Sequence, residues 1–139
     1  MATRFVEARS LFSHMSRRTL RVAGVLVGIH GIAHLVGTSG TFQAASNGEV
    51  EEYLGGFWEI SDPGLLRTVG VVWALLAVAF VVAAGFMWIG HRSWATVLGY
   101  TAAASLVMTV IGLVPAVIGI FVNLALFGFA KAAAPAHIS

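Results

Sequence analysis

The sequence predicts an all-α fold, a four-transmembrane-helix bundle with cytoplasmic N- and C-termini and one longer outward-facing loop. Three observations carry that reading. First, 58% of the 139 residues are hydrophobic and only 10% are charged, at a mean hydropathy of +0.89. A soluble domain carries roughly a quarter of its residues charged, whereas lipid requires no charged coat. Second, apolar runs of bilayer-crossing length recur along the chain. Third, arginine and lysine fall in alternate gaps between those runs. Residues 1–139 read as a single integral membrane domain.

A span needs about 20 mostly apolar residues. Residues 20–37, LRVAGVLVGIHGIAHLVG, form the first, shorter and more polar than the others. Ahead of it, residues 1–19 are basic and place Phe5, Ala8, Phe12 and Met15 at helical spacing. That pattern suits an interfacial amphipathic helix on anionic lipid, or a basic tail that sets topology. A cleaved signal peptide, with FQAA as its processing site, is a third and disfavoured reading. The outer loop, 38–64, mixes Tyr53, Phe57 and Trp58 with acids in EEYLGGFWEISDPG. It reads as a short helix or re-entrant segment that caps the bundle or docks a partner.

Residues 65–89 are the clearest span, and the apolar run 93–130 is too long for one crossing. Gly112 and Pro115 divide it, because proline lacks a backbone donor and disfavours helix at the residue before it. The result is spans 93–111 and 115–130, followed by a short tail. Trp88 and Trp94 bracket the turn between the second and third spans, as indoles do at a headgroup boundary.

Cations orient the bundle. Arg4, Arg9, Arg17, Arg18 and Arg21 precede the first span, Arg92 lies in the 90–93 turn, and Lys131 follows the fourth span. The outer segment carries Glu49, Glu51, Glu52, Glu59 and Asp62, with Arg67 as its nearest cation. The positive-inside rule puts both termini in the cytoplasm. The basic balance therefore speaks of topology, and no nucleic-acid partner is expected. Cysteine is absent, which excludes disulfides and thiolate chemistry. No G-x-S-x-G, phosphate loop or intramembrane carboxylate pair offers a footing for soluble catalysis.

Lipid provides no hydrophobic push between helices, so small residues must bring the backbones together. Gly24 and Gly28 serve the first span, Gly70 and Ala74 the second, Gly99 and Ala103 the third, and Gly119 the fourth. Asn123 shares the fourth-span stripe with Ala116 and Gly119, an interhelical glue position.

His30 and His34 share one face of the first span at i and i+4. Counted at ~1.5 Å per residue from the outer ends, His34 lies about 5 Å deep and His30 about 10 Å. Trp73, Ser105 and Asn123 fall at similar levels, and Arg67 sits near the outer surface. These six residues define a candidate polar pocket opening outward. A metal on His30 and His34 needs a third ligand, and Gly31 stands where H-E-x-x-H would place its glutamate. Haem needs an axial ligand from a second helix, for which Met108 is the candidate in this chain. A quinone hydrogen-bonded to His30 or Asn123 beside Trp73 needs less, since imidazole offers both a donor and an acceptor. Neutral histidines satisfied across a helix seam are the simplest reading.

The residues GIAHLVG (31–37) and VNLALF (122–127), with the basic N-terminus and four short spans, resemble the DoxX-like four-helix bacterial membrane proteins. The resemblance implies a bacterial inner-membrane protein that is an accessory to redox enzymes. Two functions are expected. One is a small accessory or structural subunit of a larger membrane assembly, with a membrane-protein partner or a second copy of itself. The other is an oxidoreductase module holding a quinone, haem or metal near His30 and His34. The cofactor is not specified by the residues.

Overall fold

The chain is described here by a computed structural model covering residues 15–112 and 117–133. Its elements are α1 (Arg17–Asn47), strands β1 (Glu51–Tyr53) and β2 (Trp58–Ile60), α2 (Pro63–Ile89), α3 (Trp94–Ile111) and α4 (Val117–Ala133). Residues 1–14 of the basic N-terminal segment, 113–116 (with Pro115 and Ala116) and the tail from 134 lie outside the described residues.

Helix α1 starts where Ser16 Oγ accepts the Thr19 N–H at 3.1 Å, satisfying one of the donors that a helix start leaves free. It does not stop at Gly37. It continues to Asn47 and ends at Gly48, whose φ of 67° is the left-handed cap that glycine adopts without strain. The first ten residues of the expected outer loop are therefore helix. Their polar side chains are satisfied one turn back. Thr38 donates to the His34 carbonyl at 3.3 Å, Thr41 to that of Gly37 at 3.0 Å and Ser46 to that of Phe42 at 2.8 Å. FQAA lies within this helix, with Ala44 and Ala45 buried.

The remainder of that loop is a β-hairpin rather than a short helix. Its register pairs Glu51 with Ile60 and Tyr53 with Trp58 in antiparallel fashion. A 3-10 turn over Leu54–Gly56 joins the strands, with Gly55 and Gly56 at φ of 68° and 91°. Tyr53 and Ile60 turn onto Ala44, Ala45 and Leu66, so the hairpin closes the ends of α1 and α2 with a small apolar cluster. Helix α2 then starts at Asp62, whose carboxylate accepts the Leu65 N–H at 2.7 Å, with Pro63 in the first turn.

Glycine sets how closely α1 and α2 approach. A Cβ at Gly31 would stand 2.7 Å from Phe80 Cβ and 3.1 Å from the Ala77 carbonyl. At Gly24 it would meet the Ala84 carbonyl at 3.2 Å, and at Gly70 the Thr41 hydroxyl at 2.6 Å. Gly28 is looser, 3.6 Å from Ala84 Cβ. Helices α3 and α4 pair in the same way, through Gly119 against Thr109 and Gly99 against Ala130. Ala74 and Ala103 are half-buried. Val27, Phe80, Ala83, Met87, Leu98 and Ala102 form the main core between the helices.

The closest pairings are α1 with α2 and α3 with α4, with α2 joining the pairs along α3. The surface of this bundle is inverted relative to a water-soluble one. Val22, Leu26, Ile29, Ile32 and Val36 point outward along α1, while His34, Thr41, Thr101, Ser105, Thr109 and Asn123 are buried. Charge separates by end. Arg21 lies over the Trp88 ring, 5.5 Å from its centroid, which places the α1 start beside the α2 end. The opposite end carries the hairpin with Glu51, Glu52 and Glu59.

Candidate functional site

His34 is positioned by two bonds. Its Nδ1 lies 3.0 Å from the His30 carbonyl, and its Nε2 lies 2.7 Å from Ser105 Oγ on α3. A carbonyl can only accept, so Nδ1 carries the proton, and in the neutral ring Nε2 accepts from the Ser105 hydroxyl. Ser105 is presented by the face of α3 that also buries Thr101 and Thr109, one helical turn apart in each direction.

His30 reaches the other way. Its Nε2 stands 3.2 Å from Asn123 Oδ1 on α4 and donates to it. Asn123 is wholly buried, and its Nδ2 is the one sealed side-chain polar atom without a partner among the described residues. His30 Nδ1 has no partner among the described residues either, and it is not sealed. Phe80, carried against α1 by the absence of a Cβ at Gly31, backs both imidazoles edge-on at centroid distances of 4.9 and 5.1 Å. Trp73 approaches His34 at 5.4 Å and lies against the Gly37 backbone, where a Cβ would meet its ring at 3.2 Å.

Beside these groups is a cavity of about 680 Å³. Its walls are Ala33, Val36, Gly37 and Gly40 of α1, Ile118, Gly119 and Val122 of α4, and Thr109 of α3, with Trp73, His30 and His34 at the inner end. Val50, Glu51, Glu52 and Tyr53 from the hairpin lie at the outer end. The Tyr53 hydroxyl donates to Glu51 Oε2 at 2.5 Å. Burial pushes this phenol well above the ordinary tyrosine range, and the bond to Glu51 adds to the shift. The volume falls within the range of small-molecule sites, and the lining is mainly apolar with a few convergent polar groups.

Of the six residues expected to form a polar pocket, His30, His34, Trp73, Ser105 and Asn123 meet here. Arg67 does not. Leu66 and Gly70 occupy the inward face of α2, and Arg67, about 100° round from Leu66, is exposed. Sequence reasoning missed Phe80, Thr109, Thr41 and Tyr53. Thr109 was signalled by its i+4 spacing from Ser105; Tyr53 was read only as part of a segment capping the bundle.

A metal finds a poor donor set. Both His34 nitrogens are engaged, and no group of three His, Cys, Asp or Glu side chains is gathered among the described residues. Glu59 and Asp62 are exposed, and His91 accepts from the Ser93 N–H at the opposite end. For haem, the candidate Met108 is half-buried on α3. What the arrangement does offer is an imidazole, His30, that lines a mainly apolar cavity and keeps one ring nitrogen without a partner among the described residues. In comparisons with family models, curated proteins and solved structures nothing matches this chain, so the site is read from its own chemistry.

Proposed function

We propose that this chain is a multi-pass membrane protein that binds a quinone in the cavity between α1 and α4. The inverted surface supports the membrane part. Apolar side chains face outward while hydroxyl, amide and imidazole groups are buried, the arrangement that lipid as solvent requires. Helices α1, α2 and α3 are each long and apolar enough to cross a bilayer. The fourth, α4, has 17 residues and is apolar, about 26 Å long at 1.5 Å per residue. At 31 residues α1 is about 46 Å long, so it outruns a hydrocarbon core of ~30 Å. Its last turns then carry the hairpin at the membrane surface. With the cationic end in the cytoplasm, the hairpin and the mouth of the cavity face outward.

The observation that carries the ligand is His30. His30 lines a chamber of about 680 Å³, its Nδ1 has no partner among the described residues, and this suits the polar edge of a lipid-soluble ring, with Trp73 on the same wall and apolar walls for a tail. A quinone has that shape and polarity. The test is quenching of Trp73 fluorescence by a decyl-substituted benzoquinone in nanodiscs, in a variant with Trp58, Trp88 and Trp94 changed to Phe. Saturable quenching abolished by His30→Ala is expected. Equal quenching of a variant retaining only Trp88 would mean simple partitioning into lipid and would overturn the proposal.

The hairpin tip favours a second reading, an accessory subunit of a larger assembly in the bacterial inner membrane. Phe57 is 94% exposed, and Trp58, 6.2 Å from the Tyr53 ring, is 48% exposed, which makes an apolar tip. Isolation from native membranes with a stable protein partner, lost on Phe57→Ser and Trp58→Ser, would support that role. The two readings are compatible in a redox-linked subunit.

A further inference from the structure

We infer that His30 and Asn123 form an interconvertible hydrogen-bond pair that lets one site hold both the carbonyl form and the hydroxyl form of its quinone. This rests on the quinone reading. It makes Asn123, which does not line the cavity, the positioning residue that determines it.

An amide presents an acceptor and a donor of nearly the same shape, exchanged by a half-turn about its last bond. In one arrangement Asn123 Oδ1 accepts from His30 Nε2–H at 3.2 Å, and Nδ2 is left buried without a partner. The half-turn brings Nδ2 to the ring, where it donates to Nε2, and Oδ1 becomes the unpaired group. Each arrangement keeps one bond between the two residues and leaves one buried amide group unmatched, so the pair itself has little preference between them. Neutral imidazole carries one ring proton in both.

The consequence appears at the other nitrogen. With Nε2 protonated, Nδ1 offers the cavity a lone pair and accepts from a ligand hydroxyl. With Nε2 accepting from the amide, Nδ1 bears the proton and donates to a ligand carbonyl. A quinone presents the carbonyl, and its two-electron, two-proton reduced form presents the hydroxyl. One side chain thus meets either form without moving.

His34 cannot do the same. Its Nδ1 proton is held by the His30 carbonyl at 3.0 Å, which admits a single tautomer. Ser105 adapts to it and not the reverse, since a hydroxyl rotates to suit its partner. The two histidines, one turn apart, therefore have different roles. His34 ties α1 to α3, and His30 addresses the ligand.

The test is nitrogen NMR of full-length protein labelled with nitrogen-15 at histidine and tryptophan, in nanodiscs. Spectra are taken with decyl-substituted benzoquinone and again after reduction of the same sample with dithionite. The Trp73 indole N–H reports occupancy, and loss of signals in His30→Gln assigns the ring. With the carbonyl form, His30 Nδ1 is expected to resonate as a protonated nitrogen and Nε2 as an unprotonated one. With the hydroxyl form the two exchange character, while His34 keeps its proton on Nδ1 throughout. In Asn123→Asp, whose carboxylate only accepts, Nε2 is expected to keep its proton with both forms.

A His30 tautomer that stays the same while Trp73 reports both forms bound would overturn the inference and leave quinone binding standing. An exchange that persists in Asn123→Asp would overturn the role given to Asn123. A Trp73 signal that responds to neither form would instead overturn the quinone reading itself.

Discussion

Ser105 Oγ on α3 lies 2.7 Å from His34 Nε2 on α1, and through that bond the two helix pairs are joined across the middle of the bundle. Both groups are buried, and the ring's second nitrogen is held by its own helix. Removing the hydroxyl leaves a buried imidazole acceptor with nothing to meet. Interhelical hydrogen bonds in membranes are worth about 0.6 kcal/mol on average and up to ~1.7 kcal/mol. Ser105→Ala is expected to lower stability within that range, measured by reversible unfolding in bicelles. A loss several times larger would mean that Ser105 holds more than this ring.

The close approach of α1 and α2 depends on individual glycines. A methyl at Gly31 meets Phe80 Cβ at 2.7 Å with the Ala77 carbonyl behind it, whereas a methyl at Gly28 finds Ala84 Cβ at 3.6 Å, an ordinary contact. Gly31→Ala should therefore destabilise by about 1–3 kcal/mol through overpacking. Gly28→Ala should be neutral or gain up to about 1 kcal/mol from helix propensity. The same bicelle unfolding compares the two, and a reversed order would contradict this helix contact.

Gly40 lies on the cavity wall, and a side chain added there meets nothing within 4 Å of its Cβ. Gly40→Leu is expected to keep the fold, helped by a propensity gain of up to about 1 kcal/mol, while its branched end fills the chamber. Folded yield should hold and saturable quinone quenching of Trp73 should disappear. Undiminished quenching would place the ligand elsewhere.

Tyr53 makes a pH-dependent contribution at the outer end. Burial, and then donation to Glu51, hold the phenol protonated above the ordinary tyrosine value. Because the folded-state pKa is raised, this contribution is complete below the unfolded value of roughly 10 and declines as pH rises past it, where the unfolded chain releases the proton first. In a Tyr100→Phe background, leaving Tyr53 as the sole tyrosine, phenolate absorbance should appear above that value and coincide with loss of the hairpin. Titration at the ordinary tyrosine value in the folded protein would show the phenol to be exposed.

Topology follows from the two ends of the bundle. A phosphatase reporter fused after Ser139 is expected to be inactive, and a cysteine placed at Gly55 in this cysteine-free chain should react with a membrane-impermeant maleimide added outside intact cells. Phosphatase activity at the C-terminus would reverse the orientation.

Composition and the spacing of apolar runs were enough to predict helices, because helix class depends on side-chain polarity averaged over many residues. The i, i+4 geometry of His30 and His34 was legible for the same reason: it is set by the helical repeat alone. So was the gathering of Ser105, Trp73 and Asn123 at one level, since rise per residue converts position into height. Which way each helix turns about its axis is a different matter. Arg67, six residues before Trp73 on α2, lies about 9 Å nearer the hairpin and faces outward, because Leu66 and Gly70 take the inward face of α2.

Tertiary contacts also decided the length of α1 and the form of the segment after it. Residues 38–47 read as loop by composition, yet Thr41 and Phe42 lie against Gly70 of α2, and Ala44 and Ala45 pack with Leu66 and the hairpin. The hairpin exists because Tyr53 and Ile60 have Ala44, Ala45 and Leu66 to cover. The cavity, and with it the free edge of His30, arises where α1 and α4 fail to close on each other. Such a gap is a property of pairs of surfaces, and no single stretch of chain contains it.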